Sequence, residues 1–376
     1  MGFLLRVASL ALLCLTATMA AQVDPGTALL ERDAFAALEQ GQARRAAELF
    51  RQALDADQKN ARLHLGAGLA AYLERRDPDA AAALERALGL DPSLADAREV
   101  LGQVLRRRGD LAGAIRVYAT LVGLRPDRTE AAATLERWQR ELDLHDRMLQ
   151  TVDSLFTISF EGPGEARLAN RALESLNRAY WRIGGILGTY PSNPVAVVLY
   201  TNEQFRDITR SPAWAAAAYD GTIRVPMRGA LDNVAELERV LTHEFTHALV
   251  RTLAARNIPA WLNEGLATAL ETDSPSLAEE RLRETGRPVS LKRLGAARAS
   301  FGQLDGPDAQ WMYAASAVAV NRLLEEAGGA ALANLLRDLG EGVEFEAAFD
   351  RRMPRSFDAF ADSWPEREGS EGVTRE

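Results

Sequence analysis

Apolar positions between Ala28 and Pro126 recur with a period of 34 residues. In each period an alanine is followed four positions later by a large apolar residue, at Ala46 and Phe50, Ala80 and Leu84, and Ala114 and Tyr118. The residue five positions before each alanine lies where a helical hairpin would turn, and these residues are Gly41, Arg75 and Gly109. The pattern predicts about three stacked helical hairpins over residues 28–126.

A period of 34 residues is that of the tetratricopeptide repeat, whose hairpins stack into a right-handed solenoid because no hairpin buries its apolar face alone. Such solenoids present a concave surface, so we expect a protein partner or a substrate to bind there. The alternative is that the repeats have only a structural role and pack against the rest of the chain without binding a partner. The amphipathic segment that follows predicts a capping and linker helix within residues 127–150.

From residue 151 the periodicity changes to an alternation of strands and helices, which predicts a second domain over residues 151–365. Strands are predicted at Ser154 to Phe160, Pro194 to Tyr200 and Thr222 to Met227, with Pro226 indicating an edge strand. After Trp261 the pattern is almost entirely helical, and residues 366–376 are polar enough to form a flexible tail. The predicted fold class is therefore an α+β multidomain protein, with an all-α solenoid followed by a mixed domain.

The sequence HEFTH at residues 243–247 carries the strongest chemical signal. His243 and His247 are one helical turn apart and project from one face, where two imidazoles can share a Zn²⁺ ion. Glu244 lies beside the first histidine and can reach a water on the metal. The motif predicts a zinc site with a general base next to it.

A third ligand is offered downstream, in the segment AWLNEGLATALE at residues 260–271. Glu264 lies 17 positions after His247, which is far enough for the first helix to end and a second to begin after Pro259. Three protein ligands leave one position of a tetrahedral zinc ion open, which is the catalytic arrangement. We therefore expect one Zn²⁺ per chain, with a metal-activated water attacking the substrate and Glu244 as general base.

HEFTH followed by WLNEGLATALE resembles the gluzincin metallopeptidases, in particular the peptidase MA-like domains related to aminopeptidase N. The resemblance covers about residues 150–365 and implies a thermolysin-like zincin fold and hydrolysis of peptide bonds. Within QWMYAASAVAV at residues 310–320, the resemblance implies that Tyr313 stabilises the oxyanion of the tetrahedral intermediate. The amine-gripping GxMEN segment of the aminopeptidases is missing, and Asp220 is the only carboxylate in the corresponding AYDGTIRVPM. Exopeptidase activity is therefore not implied.

Glu271 follows Glu264 by seven residues and lies on the same helical face. It can accept a hydrogen bond from an imidazole that binds the metal, which would fix the tautomer of that ring. A solvated surface glutamate has the same spacing, so both interpretations stay open.

The first 20 residues have one early arginine, an apolar run and a small-residue end, which predicts a cleavable signal peptide. The single cysteine, Cys14, lies in that run, so the mature chain would have no disulfide. We expect a secreted, periplasmic protein without a membrane span after cleavage, and an uncleaved anchor is the alternative.

The formal net charge of −9 and the lack of a basic cluster argue against nucleic acid as a partner. Three functions then compete. The first is a zinc metallopeptidase that acts on a peptide or protein, and the second is an envelope interaction scaffold with a weakly active or inactive peptidase-like domain. The third is a zinc hydrolase of a non-peptide substrate, which the site residues alone do not exclude.

Overall fold

The computed structural model describes residues 25–201, 218–219, 221–226, 234–255, 257–296 and 306–364. The chain divides into two compact units between Asp146 and Arg147. The predicted signal peptide at 1–20 and the predicted tail at 366–376 lie outside the described residues, as do Asp220 and Met227.

The described part of the first unit is a succession of seven helices. They are α1 Pro25–Glu39, α2 Ala43–Ala56, α3 Ala61–Leu73, α4 Asp77–Leu90, α5 Ala95–Arg107, α6 Leu111–Leu124 and α7 Thr129–His145. The first six form three hairpins whose turns have a residue with left-handed backbone, with φ of 72° at Gly41, 59° at Arg75 and 84° at Gly109. Arg75 therefore holds a conformation that glycine adopts more easily in the equivalent turns.

The periodic residues form the core of the solenoid. Ala46, Ala80 and Ala114 are fully buried. Leu84 and Tyr118 each pack on a glycine of the preceding helix: a Cβ at Gly68 would lie 2.7 Å from the Leu84 side chain, and one at Gly102 would lie 2.3 Å from the Tyr118 ring. Close packing of the two helices in these hairpins therefore depends on the missing side chain.

Helix α7 is tied to the third hairpin by charged groups. The Arg106 guanidinium donates to both carboxylate oxygens of Glu141 at 2.7 and 2.8 Å, and the Glu141 side chain is 1% exposed. Arg128, just before α7, is paired with Asp96 and Glu99 of α5. The predicted capping helix therefore stacks on the repeats, but it ends at His145 rather than at residue 150.

The second unit contains a mixed sheet of five described strands, in the order β1, β2, β3, β5, β4. Their bounds are β1 Leu149–Val152, β2 Phe156–Phe160, β3 Val195–Tyr200, β4 Ala218–Tyr219 and β5 Ile223–Pro226. β2, β3 and β5 run parallel, whereas β1 pairs antiparallel with β2, and β4 pairs antiparallel with β5.

Two strand predictions need correction. β2 begins at Phe156 rather than Ser154, because the Asp153 carboxylate accepts hydrogen bonds from the amides of Leu155 and Phe156 and so closes a turn after β1. The edge-strand prediction for Pro226 is wrong, since β5 lies between β3 and β4. β4 pairs only with Ile223 and Arg224, so the proline at the end of β5 interrupts no described hydrogen bond on that side.

The helices of the second unit pack around this sheet. They are α8 Ala166–Leu187, α9 Val234–Leu253, α10 Ala260–Leu270, α11 Ser276–Glu284, α12 Leu291–Ala296, α13 Gly306–Glu341, α14 Phe345–Arg352 and α15 Phe357–Asp362. Helix α13 is broken at Gly328, which has φ 77°. Among the described residues, no helix is both long and apolar enough to cross a membrane.

Candidate metal centre

Helix α9 presents His243 and His247 from a face next to its buried face. Phe245 is fully buried and its ring contacts those of Phe156 and Tyr180, with centroids 5.8 and 5.9 Å apart. This packing fixes the rotation of the helix against the sheet and α8. His243 and His247 then point the same way, with 3.2 Å between their Nε2 atoms.

Helix α10 brings Glu264 to the two imidazoles. Its Oε2 lies 3.7 Å from Nε2 of His243 and 3.5 Å from Nε2 of His247. The chain reverses between the two helices through Asn257, which has φ 63°, and Pro259 precedes the first residue of α10. Gly265 lets α10 approach α13 closely, because a Cβ there would lie 2.7 Å from the carbonyl oxygen of Ser316.

The spacing of the three donor atoms matches the requirements of zinc. Ligands about 2.0–2.1 Å from a tetrahedral ion are about 3.3–3.4 Å apart, and the three separations are 3.2, 3.5 and 3.7 Å. The side chains of His243, His247 and Glu264 are 17%, 13% and 20% exposed, so all three are partly open to solvent. Among the described residues, this is the one group of three His, Cys, Asp or Glu side chains arranged to hold a metal ion.

Glu271 supports the first imidazole from the outer side. Its Oε2 lies 3.2 Å from Nδ1 of His243, which fits an imidazole that donates from Nδ1 and keeps Nε2 free for a metal. The Glu271 side chain is 2% exposed, so it is not a solvated surface glutamate. Arg239 donates to the same carboxylate at 2.8 Å and Arg281 donates at 2.7 Å. Burial alone raises the pKa of Glu271, but His243 and these arginines lower it below the ordinary value.

The second imidazole has its own outer partner, which sequence reasoning missed. Oδ1 of Asn263 lies 3.3 Å from Nδ1 of His247. Arg239 and Arg281 were missed as well. The available signals were the position of Asn263 directly before Glu264, and the position of Arg239 one turn before His243 on α9.

The charges at the site are strongly coupled. Burial lowers the pKa of His243, but hydrogen bonds with Glu264 and Glu271 outweigh it and raise the pKa to about 10. Burial by itself raises the pKa of Glu264, but the two histidines hold it far below its usual range. Glu264 and Glu271 are therefore ionised at neutral pH, and their negative charge would favour a dication at this position.

Glu244 and Tyr313 lie close enough to this cluster for their ionisation to depend on it. Glu244 is 7% exposed, and burial raises the pKa of its carboxyl, although His247 and His243 oppose the effect. Burial also raises the pKa of the Tyr313 phenol, and the nearby charges of Glu264 and Glu244 add to the rise. Tyr313 therefore keeps its proton at neutral pH and can act as a hydrogen-bond donor.

Comparison with known proteins identifies the repeats. The tetratricopeptide repeat family model matches residues 34–95 and 78–131. Residues 34–131 are tetratricopeptide repeats. A search of curated proteins found no match.

Among solved structures, the chain is similar to an O-GlcNAc transferase mutant from Thermobaculum terrenum. The identity is 21% and the TM-score is 0.30, over 49% of this chain and 33% of that chain. This chain therefore matches about a third of the length of the transferase structure.

Proposed function

We propose that this chain hydrolyses peptide bonds as a zinc-dependent metallopeptidase of the gluzincin type. The observation that carries the proposal is the convergence of His243, His247 and Glu264 at separations of 3.2–3.7 Å, beside the buried Glu244. A zinc ion held by these three ligands would supply Lewis acidity, polarising a carbonyl and acidifying a water molecule.

The residues of the chain then have distinct tasks. Glu244 accepts a proton from the water whose oxygen bonds to the peptide carbonyl carbon. It returns that proton to the amine nitrogen as the carbon–nitrogen bond breaks. Tyr313 donates a hydrogen bond to the carbonyl oxygen as negative charge develops there. Glu271 and Asn263 orient the two imidazoles through their Nδ1 atoms, so that both Nε2 atoms face Glu264.

Metal analysis and one isosteric substitution test this proposal. Glu244→Gln should keep about one zinc per chain and lose hydrolysis of an unstructured peptide by about 10² to 10⁴-fold, the usual contribution of a general base. His243→Ala should lose the metal, whereas the control variant His64→Ala, in the first unit, should keep it. Full activity of Glu244→Gln would refute the mechanism, and stoichiometric zinc in His243→Ala would refute the ligand set.

A second function is favoured by the family match, which supports protein interaction through the repeats more directly than any comparison supports hydrolysis. In this proposal the chain is an interaction scaffold and the metal unit contributes little or no turnover. Glu244→Gln should then capture the same partner as the wild type, and a variant without residues 28–126 should lose that partner while it retains zinc. A partner that binds equally well without the repeats would exclude the scaffold role.

The substrate class and the compartment are tested separately. A proteome-wide cleavage profile that compares the wild type with Glu244→Gln would identify peptide substrates, and an identical profile would favour a non-peptide substrate. Export is proposed from residues 1–20, and sequencing the amino terminus of the mature protein tests it, since a chain that still begins at Met1 would exclude cleavage.

A further inference from the structure

The outer face of α8 and the turn after it carry three large side chains that solvent reaches. Trp181 is 62% exposed, Tyr190 41% and Ile186 38%. The rings of Trp181 and Tyr190 lie 5.6 Å apart, and Tyr190 packs directly over Gly184, where an added Cβ would lie 2.1 Å from the ring. Clustered exposed aromatic residues on a globular unit indicate an interaction surface.

Two cavities flank this face. The larger has a volume of about 1000 Å³ and its lining includes Trp181, Glu238 and Asp273. The smaller has a volume of about 370 Å³ and its lining includes Ile186, Asp273 and Glu325. Arg182, Thr272 and Asp273 line both cavities, so the two lie next to each other, and we call the pair the α8 groove.

In the described part of the chain three arginines line the groove, and each of them is paired. Arg178 is paired with Glu238. Arg182 donates to the carbonyl oxygen of Leu270 at 2.6 Å, at the end of α10. Arg239 donates to Glu236 and to Glu271 behind the metal centre. These guanidinium groups are therefore committed to holding the fold rather than to receiving an anion.

The carboxylates of the groove, in contrast, keep acceptor capacity on the solvent side. Arg178 donates twice to Oε1 of Glu238, and Arg182 lies 3.1 Å from Oδ1 of Asp273. Within the described residues, no hydrogen-bond donor reaches Oε2 of Glu238 or Oδ2 of Asp273. The side chains of Glu238 and Asp273 are 42% and 83% exposed. The larger cavity is thus lined both by carboxylate acceptors and by the exposed side chain of Trp181.

We infer that the α8 groove binds a peptide segment that carries lysine or arginine side chains. A cation can stack on the Trp181 ring and donate to the free oxygens of Glu238 and Asp273, whereas phosphate and carboxylate groups would meet these acceptors with like charge. The larger cavity is also lined by Glu271 and Arg239, so the groove lies directly behind the metal centre in the same unit. The inference concerns binding alone and stands whether or not the centre hydrolyses the peptide.

Fluorescence anisotropy on the full chain tests the inference, in the Glu244→Gln background so that the probe is not cut. The probe is a capped, fluorescein-labelled octapeptide of glycine and alanine with two arginines, and its matched partners carry two glutamates or two glutamines instead. The arginine probe should bind most tightly, and its affinity should fall as salt is added. The double variant Trp181→Ala/Asp273→Asn should weaken binding by about tenfold or more.

The matched control replaces one exposed apolar and one exposed acidic side chain of the same unit outside the groove, as Leu149→Ala/Glu346→Gln. This control should bind the arginine probe like the parent protein. Equal affinity for the glutamate probe, unchanged binding in the groove variant, or an equal loss in the control would each overturn the inference. Unchanged binding in the groove variant would also place the probe elsewhere on the chain, including on the repeats.

Discussion

The carboxylate of Glu271 offers the most direct test of how the candidate centre is organised. It accepts hydrogen bonds from Arg239 and Arg281 and contacts Nδ1 of His243 at 3.2 Å, with its side chain 2% exposed. Replacing it changes no proposed zinc ligand. Any change in zinc affinity therefore measures how strongly the outer partner orients and polarises the His243 imidazole.

The structure predicts that the loss of zinc affinity depends on which residue replaces Glu271. In Glu271→Gln the amide oxygen can still face His243, while the amide nitrogen faces Arg281, which is 37% exposed and free to turn toward solvent. We expect zinc to dissociate about tenfold more readily in Glu271→Gln, and about 100-fold more readily in Glu271→Ala, where the acceptor is lost altogether. These factors correspond to about 1.4 and 2.8 kcal/mol of binding free energy.

Competition with a chromogenic chelator measures the zinc affinity, and circular dichroism checks that each variant is folded. Glu236→Gln is the matched control, because Glu236 shares the partner Arg239 with Glu271 and its side chain is 49% exposed. It should change the zinc dissociation constant by less than about twofold. A folded Glu271→Ala protein with wild-type zinc affinity would refute the orienting role.

Three further predictions concern the framework. Gly265→Ala places a Cβ 2.7 Å from the Ser316 carbonyl oxygen; thermal unfolding should show a loss of about 1–3 kcal/mol, and unchanged stability would contradict the close approach of α10 and α13. Glu141→Ala removes a carboxylate that is 1% exposed and accepts two hydrogen bonds from Arg106, which should cost the first unit about 3 kcal/mol in urea unfolding, with a smaller loss in Glu141→Gln. Burial raises the pKa of Asp153, but three hydrogen bonds lower that pKa below the ordinary value. The ionised Asp153 carboxylate therefore stabilises the folded protein above about pH 4, and this stabilisation is lost as pH falls through the lowered pKa. Asp153→Asn should therefore flatten the acid limb of the unfolding curve, and an unaltered limb would contradict this assignment.

Local spacing was enough to predict the solenoid and the convergence of His243, His247 and Glu264. The 34-residue period places Ala46, Ala80 and Ala114 at equivalent helix contacts, and all three are fully buried. Ala34, Gly68 and Gly102 are also spaced 34 residues apart. Leu84 packs on Gly68 and Tyr118 packs on Gly102, so the small residues repeat at the positions that the large residues contact. The solenoid can be predicted from the sequence because each hairpin packs only on the hairpins next to it in the chain, so its buried positions recur with a fixed period.

Apart from Glu271, the outer partners of the site could not be read in the same way. Arg281 meets Glu271 only because α11 folds back after α10, so its role depends on tertiary packing. The edge-strand error has a similar cause. The position of Pro226 in the sheet is decided by β4, a strand of two residues with too little pattern to be recognised from sequence.

The three proposed ligands lie on two helices, and this placement would have a mechanical consequence. His247 on α9 and Glu264 on α10 lie at either side of the turn that contains Asn257 and Pro259. An ion bound by both would cross-link the two ends of this segment, in a chain whose single cysteine is Cys14. Metal content and resistance of this turn to proteolysis would then rise and fall together.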